Sequence, residues 1–462
     1  MSVVDTLAAL WTLAGLPGET LENAILSGAD PVLPSSFAVG AAAQASVAAA
    51  ALAAVELGHV RGQPYQQISV DMTHAALECS GWFRLDGVTP NVWDKFSGLY
   101  QCVDGWVRVH ANFAHHRDGA LRLLGLSAET AQRADAEREL LSWRALDFEQ
   151  AAADAGLVVA ACRSFAEWDA LPQGQVVAAL PLFTIERIGD AAPRKLPKLN
   201  ADDRPLTGVR VLDLTRILAG PVCGRMLAAY GADVMLINSP HLPNIESIAD
   251  TSRGKLSAHV DLRTSAGHES LKNLLATSHF FVQGYRPGGL AAHGFGPDDV
   301  ARLRPGIVYV SLCAYGESGP WQSRRGFDSL VQTATGFNLA EAEAANSPEP
   351  KALPMQMLDY ATGHLMAFAA TTALRRQALE GGSWHVKVSL AQTGHWLRYL
   401  GRVENGFSIE RPKVTPYIET ANSGFGELTA MSHSAKFSRT PTRWARPSMP
   451  PGTHPPVWPS SA

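Results

Sequence analysis

The chain has 462 residues, of which 46% are hydrophobic and 18% are charged, and its formal net charge is -4. This length exceeds one typical domain, so we expect two or three lobes. The balanced charge indicates neither a nucleic acid nor a membrane surface as partner. Five scattered cysteines without a C-x-x-C pair favour neither a disulfide framework nor a zinc ribbon, and they predict a reducing, cytoplasmic location.

Two apolar stretches near the N-terminus need to be distinguished from targeting or membrane segments. The opening "MSVVDTLAALWTLAGLPGE" carries Asp5 and no basic residue, which predicts an amphipathic helix rather than a signal peptide. The run from Ala38 to Val55 is long enough for a transmembrane helix. Because alanine is weakly apolar and Gln44 and Ser46 interrupt the run, a membrane span is disfavoured.

The first half of the chain divides into two predicted segments and a linker. Residues 1–95 have helical patterns and end near the strand-like "QQISVDM". Residues 96–185 predict a smaller α+β domain, with a hairpin around the Asp104-Gly105 turn and helical spacing over 118–180. Residues 186–207 are rich in proline and alternating charge, which predicts the linker between domains.

From residue 208 the sequence pattern becomes typical of a parallel sheet. Residues 208–238 read as strand, Gly-Pro loop, helix, Gly turn and strand, and three more apolar strands follow at 258–262, 279–285 and 306–316. We therefore predict an α/β fold with an open, Rossmann-like doubly wound sheet in a large domain over 208–400. No G-x-G-x-x-G follows the first strand, so a dinucleotide fingerprint is absent. The tail, 401–462, is predicted to be extended because its end is Pro-rich.

One passage of the sequence is written twice. Ser36 and the residues after it align with Asp359 and the residues after it, and Val70-Asp71-Met72 then aligns with Val388-Ser389-Leu390. Each copy reads as turn, helix, Gly-rich turn and strand. Coincidence between two alanine-rich helices is the alternative to a duplication.

Asp359 allows two interpretations. Aspartate before a helix is commonly an N-cap, whose side chain accepts backbone N–H bonds. An aspartate that is ionised at neutral pH could also attack a thioester carbonyl to give a mixed anhydride. The two roles compete for the same oxygens.

Two further motifs could carry chemistry but lack the required partners. "GESGP" at 316–320 has Pro320 where a serine nucleophile elbow requires glycine, which leaves a turn as the interpretation. His110, His115 and His116 could bind a metal, but no H-E-x-x-H motif or nearby acidic or thiol partner has ligand spacing. We predict no metal site.

Charged residues at predicted loops form the last candidate set. Asp328 could be catalytic or could cap the helix that follows it. Basic side chains follow several strands, and solvated charge is their default interpretation; converging at the carboxyl edge of the sheet, they would suit a phosphate-rich ligand. These are Arg253, Lys255, Arg286, Arg324 and Arg325.

Together these stretches resemble the class III CoA-transferase family (CaiB/BaiF type). The resemblance rests, in the family's order, on "PLTGVRVLDLTRILAGPVCGRMLAAYGADVMLI", "SRGKLSAHVDL", "FFVQGYRPGGLAAHGFG", "RPGIVYVSLCAYGESGP", "RGFDSLVQTATG" and "LDYATGHLMAFAATTAL", over about 205–400. The first 200 residues resemble the later part of the same family unit. The chain thus looks like a permuted or partly duplicated transferase in which residues 1–95 are a degenerate copy.

The resemblance implies a CoA-transferase that moves CoA from an acyl-CoA donor to a carboxylic acid acceptor. It implies Asp359 as the nucleophile, aspartyl anhydride and aspartyl-CoA thioester intermediates, no permanently bound cofactor, and an interlocked homodimer or a heteromer with a paralogue. It assigns CoA contacts to a set of loop residues, namely Leu218, Ala219, Arg253, Lys255, Gln283, Tyr285, Arg286 and Arg325.

The sequence departs from the family pattern at several places. Leu218 stands where some members keep a catalytic glutamine, Gln283-Gly284 replaces the commoner Glu-Asn, and no Gly-run loop is found. Acyl-CoA racemases or lyases on the same fold are the alternative function; racemases rely on a histidine near Phe327-Asp328, and none stands there. A non-catalytic CoA-binding partner of an intact paralogue is the second alternative.

Overall fold

The computed structural model describes residues 2–459. Its N-terminal segment begins with a helix that Ser2 caps through the N–H of Asp5, as predicted for an amphipathic start. A long helix then runs between two short strands. The elements of this segment are α1 (Val3–Ala14), β1 (Ala24–Ser27), α2 (Val39–Val60), β2 (Ile68–Asp71), α3 (Met72–Glu78) and β3 (Phe83–Leu85).

The small α+β domain follows, and the predicted hairpin around Asp104-Gly105 is present. Its three strands form an antiparallel sheet in the order β4-β5-β6. The stretch predicted as helical also contains the third of these strands, because its short apolar run pairs with the hairpin. The elements are β4 (Gly98–Cys102), β5 (Gly105–Val109), α4 (Ala114–Leu123), α5 (Arg133–Leu140), α6 (Ala145–Asp154), β6 (Val159–Ala161), α7 (Phe165–Ala170) and α8 (Pro172–Ala179).

The large domain is a seven-stranded sheet with helices on its faces, which confirms the predicted α/β class. Apolar β-strands buried on both faces are typical of parallel sheets. The elements are β7 (Phe183–Gly189), β8 (Arg210–Leu214), α9 (Ala219–Ala229), β9 (Asp233–Asn238), α10 (Ile248–Thr251), β10 (Lys255–His259), α11 (Ser265–Leu275), β11 (Phe280–Gln283), α12 (Pro297–Leu303), β12 (Val308–Cys313), α13 (Asp328–Ala334), α14 (Phe337–Ala344), α15 (Met357–Glu380), β13 (Ser383–Ser389) and α16 (Leu390–Tyr399).

The strand order of this sheet is β10-β9-β8-β11-β12-β13-β7. All neighbours are parallel except β7, which pairs antiparallel with β13. The order reverses direction between β8 and β11, and such a switch point opens a crevice at the carboxyl ends of the strands. A ligand cavity is therefore expected where β8 and β11 end.

Helices α2 and α15 lie side by side in the core. The window of α2 that is long and apolar enough to span a membrane is buried throughout within the protein. Helix α15 also lies on α9, and Gly363 permits this contact because a Cβ there would lie 2.5 Å from the carbonyl oxygen of Ala219. Both long helices are thus core helices of one fold.

Two predicted boundaries need correction. The linker predicted at 186–207 begins inside β7, because those residues complete an edge strand against β13. The tail predicted as extended contains a hairpin and a third strand, β14 (Ile418–Ser423), β15 (Gly426–Met431) and β16 (Ala435–Phe437). The hairpin pairs with β3, and β16 pairs with β2. The tail thus joins its strands to those of the N-terminal segment.

Candidate functional site

Two adjoining cavities open at the carboxyl edge of the sheet, where the strand order predicts a crevice. The larger, of about 360 Å³, is bordered by residues after β8, β11 and β12. The smaller, of about 240 Å³, reaches the N-terminus of α15. Phe113, Ile217 and Phe327 line both cavities, so these three side chains stand at their junction.

Asp359 lies in the first turn of α15 and lines the smaller cavity. Its side chain does not cap the helix; instead its own N–H donates to Oδ2 of Asp328 at 2.8 Å. The N-cap interpretation of Asp359 is therefore wrong, since a distant residue supplies that cap. Asp328 does not cap its own helix, α13, which has no side-chain cap. The carboxyl oxygens of Asp359 therefore do not cap α15.

The environment of Asp359 disfavours the charged form of its carboxyl group. Asp359 is 7% exposed. Burial raises the pKa of Asp359 well above its ordinary value, and the neighbouring Asp328 raises it further. Burial also raises the pKa of Asp328 to about 6, although hydrogen bonds from the N–H of Asp359 and from Gln332 oppose that rise. From the sequence alone, Asp359 is expected to ionise at its reference pKa; in the structure, burial and Asp328 raise that pKa.

The loop between β8 and α9 has an unusual backbone at the junction of the two cavities. Ile217 has a φ of 76°, a left-handed conformation that is a genuine outlier for a β-branched residue. Such strain is found mainly at functional sites. Leu218, which follows, lines the smaller cavity, while the buried Ala219 opens α9 and contacts Gly363 of α15. Of the predicted pair, only Leu218 faces a cavity.

Several arginines that are far apart in the sequence line the larger cavity. Tyr285, Arg286 and Arg325 line it, as does Arg324. Arg216 also lines it and was missed, although its place directly after β8 is the signal that could have identified it. Arg324 is paired with Glu149 at 3.4 Å, which leaves three guanidinium side chains without a carboxylate partner among the described ion pairs. Such a cavity suits phosphate groups, which arginine binds in a bidentate manner.

Three other predicted CoA contacts do not line this cavity. Gln283 accepts the N–H of Tyr285 at 2.8 Å and donates to Ser311, so it orients the Tyr285 loop. The Nζ of Lys255 donates to Asp213 and to the carbonyl of Pro221, both at 2.7 Å. Arg253 pairs with Asp250 and Glu419. For Arg253 and Lys255 the prediction is corrected: their charges are neutralised inside the protein.

The small domain supplies a wall of the site that the sequence did not reveal. Phe113, His115 and His116 line the larger cavity, and His110 and Asn112 line the smaller. Trp93, which directly precedes this domain in sequence, also lines the smaller cavity. The ring of His110 stacks on Phe327 with centroids 4.0 Å apart. Within residues 2–459 no group of His, Cys, Asp and Glu could hold a metal ion.

The first copy of the repeat has a different local structure. The hydroxyl of Ser36 donates to Oε1 of the buried Glu341 at 2.6 Å. Helix α2 is capped instead by Asp30, which accepts the N–H groups of Gly40 at 3.1 Å and Ala41 at 2.8 Å. Ser36 therefore does not cap this helix.

Comparison with known proteins gives the same assignment along most of the chain. The model of CoA-transferase family III matches residues 206–401. An acyl-CoA transferase of Gibberella moniliformis is 30% identical over 425 residues, covering 82% of this chain and 74% of that protein. A succinate–glutarate CoA-transferase of Agrobacterium fabrum is 28% identical over 263 residues, which cover 51% of this chain and 65% of the relative.

Among solved structures, a CaiB/BaiF family protein of Brucella suis is 27% identical, with a TM-score of 0.38. The match covers 49% of this chain and 65% of that one. The fungal relative extends the likeness beyond the residues that the family model matches, into the N-terminal segment or the tail. The chain therefore belongs to CoA-transferase family III.

Proposed function

We propose that the protein transfers CoA from an acyl-CoA donor to a carboxylic acid acceptor, with Asp359 as the nucleophile. The observation that carries this proposal is the position of Asp359, buried in a cavity that adjoins the arginine-lined cavity. A thioester bound across the junction at Ile217 would have its CoA phosphates near the arginines and its acyl group near the carboxylate.

The proposed reaction proceeds through alternating anhydrides and a thioester. The carboxylate of Asp359 attacks the donor thioester carbonyl, and CoA leaves as a thiolate, which gives an aspartyl acyl anhydride. The thiolate then attacks the aspartyl carbonyl, releases the donor acid and forms aspartyl-CoA. The acceptor carboxylate attacks this thioester to give a second anhydride and free thiolate. Attack of the thiolate on the acceptor acyl carbonyl yields the new acyl-CoA and restores Asp359.

The surroundings of Asp359 suit this chemistry in two ways. A carboxylate with a raised pKa is a stronger nucleophile once ionised, although fewer molecules are ionised at a given pH. The N-terminal end of α15 carries partial positive charge, which favours an anion in its first turn. Walls such as Trp93, Phe113 and Ile245 limit water near the cavity, which protects an anhydride from hydrolysis.

A third cavity extends the CoA pathway along the sheet edge. Its volume is about 310 Å³, and it shares Leu214, Leu242 and Tyr285 with the arginine-lined cavity. Its lining includes His241 and Arg263. Both basic groups are paired with Asp261, which also lines the cavity. The apolar part of this lining suits the adenine of CoA, so we propose that the ligand spans all three cavities.

Racemisation of an acyl-CoA is the second candidate, because one observation favours it. A histidine does reach the cavity of Asp359, although it comes from the small domain rather than from the segment around Phe327. Burial, however, lowers the pKa of this residue, His110, to about 3. So weak a base is poorly matched to removing an α-hydrogen at neutral pH, and CoA transfer remains the better-supported function.

Hydroxylamine trapping tests the proposal. Acyl-CoA is mixed with the protein and hydroxylamine, and peptide mass spectrometry locates the hydroxamate. We expect it at Asp359 and release of free CoA, whereas Ser36→Ala should trap normally. Intact CoA binding without a hydroxamate would favour a non-catalytic CoA-binding protein. Exchange of the α-hydrogen with deuterium in the absence of an acceptor acid would favour the racemase.

Location and assembly belong to the same proposal. All five cysteines are free, which is consistent with a reducing cytoplasm. The interlocked homodimer, or a heteromer with a paralogue, stays a prediction that sedimentation of the purified chain would test.

A further inference from the structure

The smaller cavity has an unusual charge distribution for a site that handles carboxylic acids. Within residues 2–459 no lysine or arginine lines it. Its ionisable lining is limited to Asp359, Tyr360 and His110, and His110 is neutral at physiological pH because burial lowers its pKa to about 3. The rest of the lining is apolar or neutral polar and includes Trp93, Phe113, Ile245 and Asn112.

A cation does lie behind one of these walls. The guanidinium carbon of Arg108 is 5.5 Å from the ring centroid of Trp93. Trp93 lines the cavity and Arg108 does not. Nε of Arg108 is buried without a hydrogen-bond partner, and it is attracted by the charge of Asp328 without reaching ion-pair distance. Arg108 thus lies beside a lining residue of the cavity without lining the cavity itself.

We propose that the cavity at Asp359 accepts uncharged, short- to medium-chain acyl groups and rejects dicarboxylates, because Trp93 separates it from Arg108. The inference rests on the proposed CoA transfer and names its substrate class. A donor such as glutaryl-CoA would bring a second carboxylate into a cavity without a cation, beside Asp359 and Asp328. Burying an unpaired charge is costly, and two neighbouring carboxylates add repulsion.

The size of the cavity limits the chain length. A volume of 240 Å³ is that of about eight water molecules. This space holds a butyryl, branched pentanoyl or benzoyl group. A long fatty acyl chain would have to leave it. Each methylene group that is buried against the apolar walls strengthens binding of the acyl group until the cavity is full.

A panel of acyl-CoA donors tests the inference on the unaltered protein. Propionyl-, butyryl-, benzoyl-, succinyl- and glutaryl-CoA are each used to form the Asp359 hydroxamate, and the acylation rate constant divided by the half-saturation concentration is compared. We expect the uncharged donors to exceed succinyl- and glutaryl-CoA by about a hundredfold or more, because the second charge finds no partner. Equal or faster acylation by the dicarboxylyl donors would overturn the inference and leave CoA transfer standing. Failure of every donor would instead overturn the proposed function.

Variants at Trp93 test the physical reason. Trp93→Ala should raise the ratio of glutaryl to butyryl acylation by about tenfold, because Arg108 gains access to the distal carboxylate. The double variant Trp93→Ala/Arg108→Met should lose that gain. A purely structural role of Trp93 would slow all donors alike and leave the ratio unchanged, which would contradict the assigned role of Trp93.

Trp143→Ala is the matched control. Trp143 lies in the small domain and packs on Phe148, with ring centroids 5.3 Å apart, but it lines neither cavity of the site. Its substitution should leave the glutaryl to butyryl ratio of the wild type. Should Trp93→Ala fail to fold, the donor panel on the unaltered chain still decides the inference.

Discussion

The helices α2 and α15 form an instructive pair because they share a framework and differ in chemistry. Both are long, alanine-rich and buried, and each leads into a strand followed by another helix. Each also takes its cap from an aspartate elsewhere in the chain, Asp30 for α2 and Asp328 for α15. The compared positions, Ser36 and Asp359, cap neither helix.

The difference lies in what faces those positions. Ser36 is held by Glu341, whereas Asp359 opens onto a cavity of about 240 Å³. Capping by a second aspartate is what leaves the Asp359 carboxylate available. A carboxyl group at the start of a helix can therefore face a cavity when a second residue caps that helix.

The largest expected effect is the loss of chemistry in Asp359→Asn. The amide cannot form an anhydride, so we expect transfer to fall by about three orders of magnitude or more. Steady-state kinetics measure the loss, and calorimetric titration should show CoA binding unchanged. Since burial raises the pKa of Asp359, the variant should also be at least as stable as the wild type at neutral pH. Residual transfer near wild-type rates would exclude Asp359 as the nucleophile.

Paired glycine substitutions come next and probe the shared framework. A Cβ at Gly363 would lie 2.5 Å from the carbonyl oxygen of Ala219, and one at Gly40 would lie 2.4 Å from Oδ1 of Asp30. Gly363→Ala and Gly40→Ala should each lower the free energy of unfolding by about 1–3 kcal/mol, because backbone or a capping group must move. Urea denaturation measures both. Gly18→Ala, at a site with open space, is the control.

A change in pH dependence should follow from Asp328→Asn. Acylation needs the ionised form of Asp359, so its rate should rise with pH through the raised pKa of that group. Removing the Asp328 charge lowers this pKa and should move the acid limb to lower pH. Single-turnover acylation from pH 4 to 9 would show the shift by about one unit. An unchanged profile would mean that the two carboxyl groups do not interact.

The contribution of the Asp328 and Asp359 pair to stability should depend on pH in the opposite sense to the activity. Both carboxyl groups have folded-state pKa values above their ordinary values, so their contribution is fully present below the unfolded pKa. It is lost as pH rises through the folded values, about 6 for Asp328. On one pH series, acylation by the wild type should therefore rise with pH while its stability relative to that of Asp359→Asn falls.

The smallest effect belongs to Ser36→Ala. The change removes a 2.6 Å hydrogen bond to the buried Glu341, and we expect about 1–2 kcal/mol of lost stability with transfer unchanged. Thermal unfolding and kinetics on the same sample test both parts. Glu341→Gln, which keeps the shape, should lose less, because burial already raises the pKa of Glu341. A loss of transfer in Ser36→Ala would give the first copy a catalytic role.

The sequence predicted much of the fold because strands and Gly turns are local signals. The strands β8 to β12 and the hairpin around Asp104-Gly105 were all identified from apolar runs and turn residues. The capping of α15 by Asp328 was not predictable from the sequence, because the two residues that form this hydrogen bond, Asp328 and Asp359, are 31 positions apart. Lys255 was misassigned for a similar reason: its ion pair with Asp213 joins two strands. The sequence shows which charged residues follow the strands. Tertiary packing determines which of them line the cavities and which are paired inside the protein.

The wall that the small domain contributes has a consequence for how the site at Asp359 is assembled. His110 and Phe113 come from the same chain as Asp359, and His110 rests directly on Phe327. The residues that line both cavities are therefore brought together by the folding of one polypeptide, across more than 200 positions of sequence. A change that loosens the packing of the small domain on Phe327 should disturb the cavity at Asp359 without touching Asp359 itself.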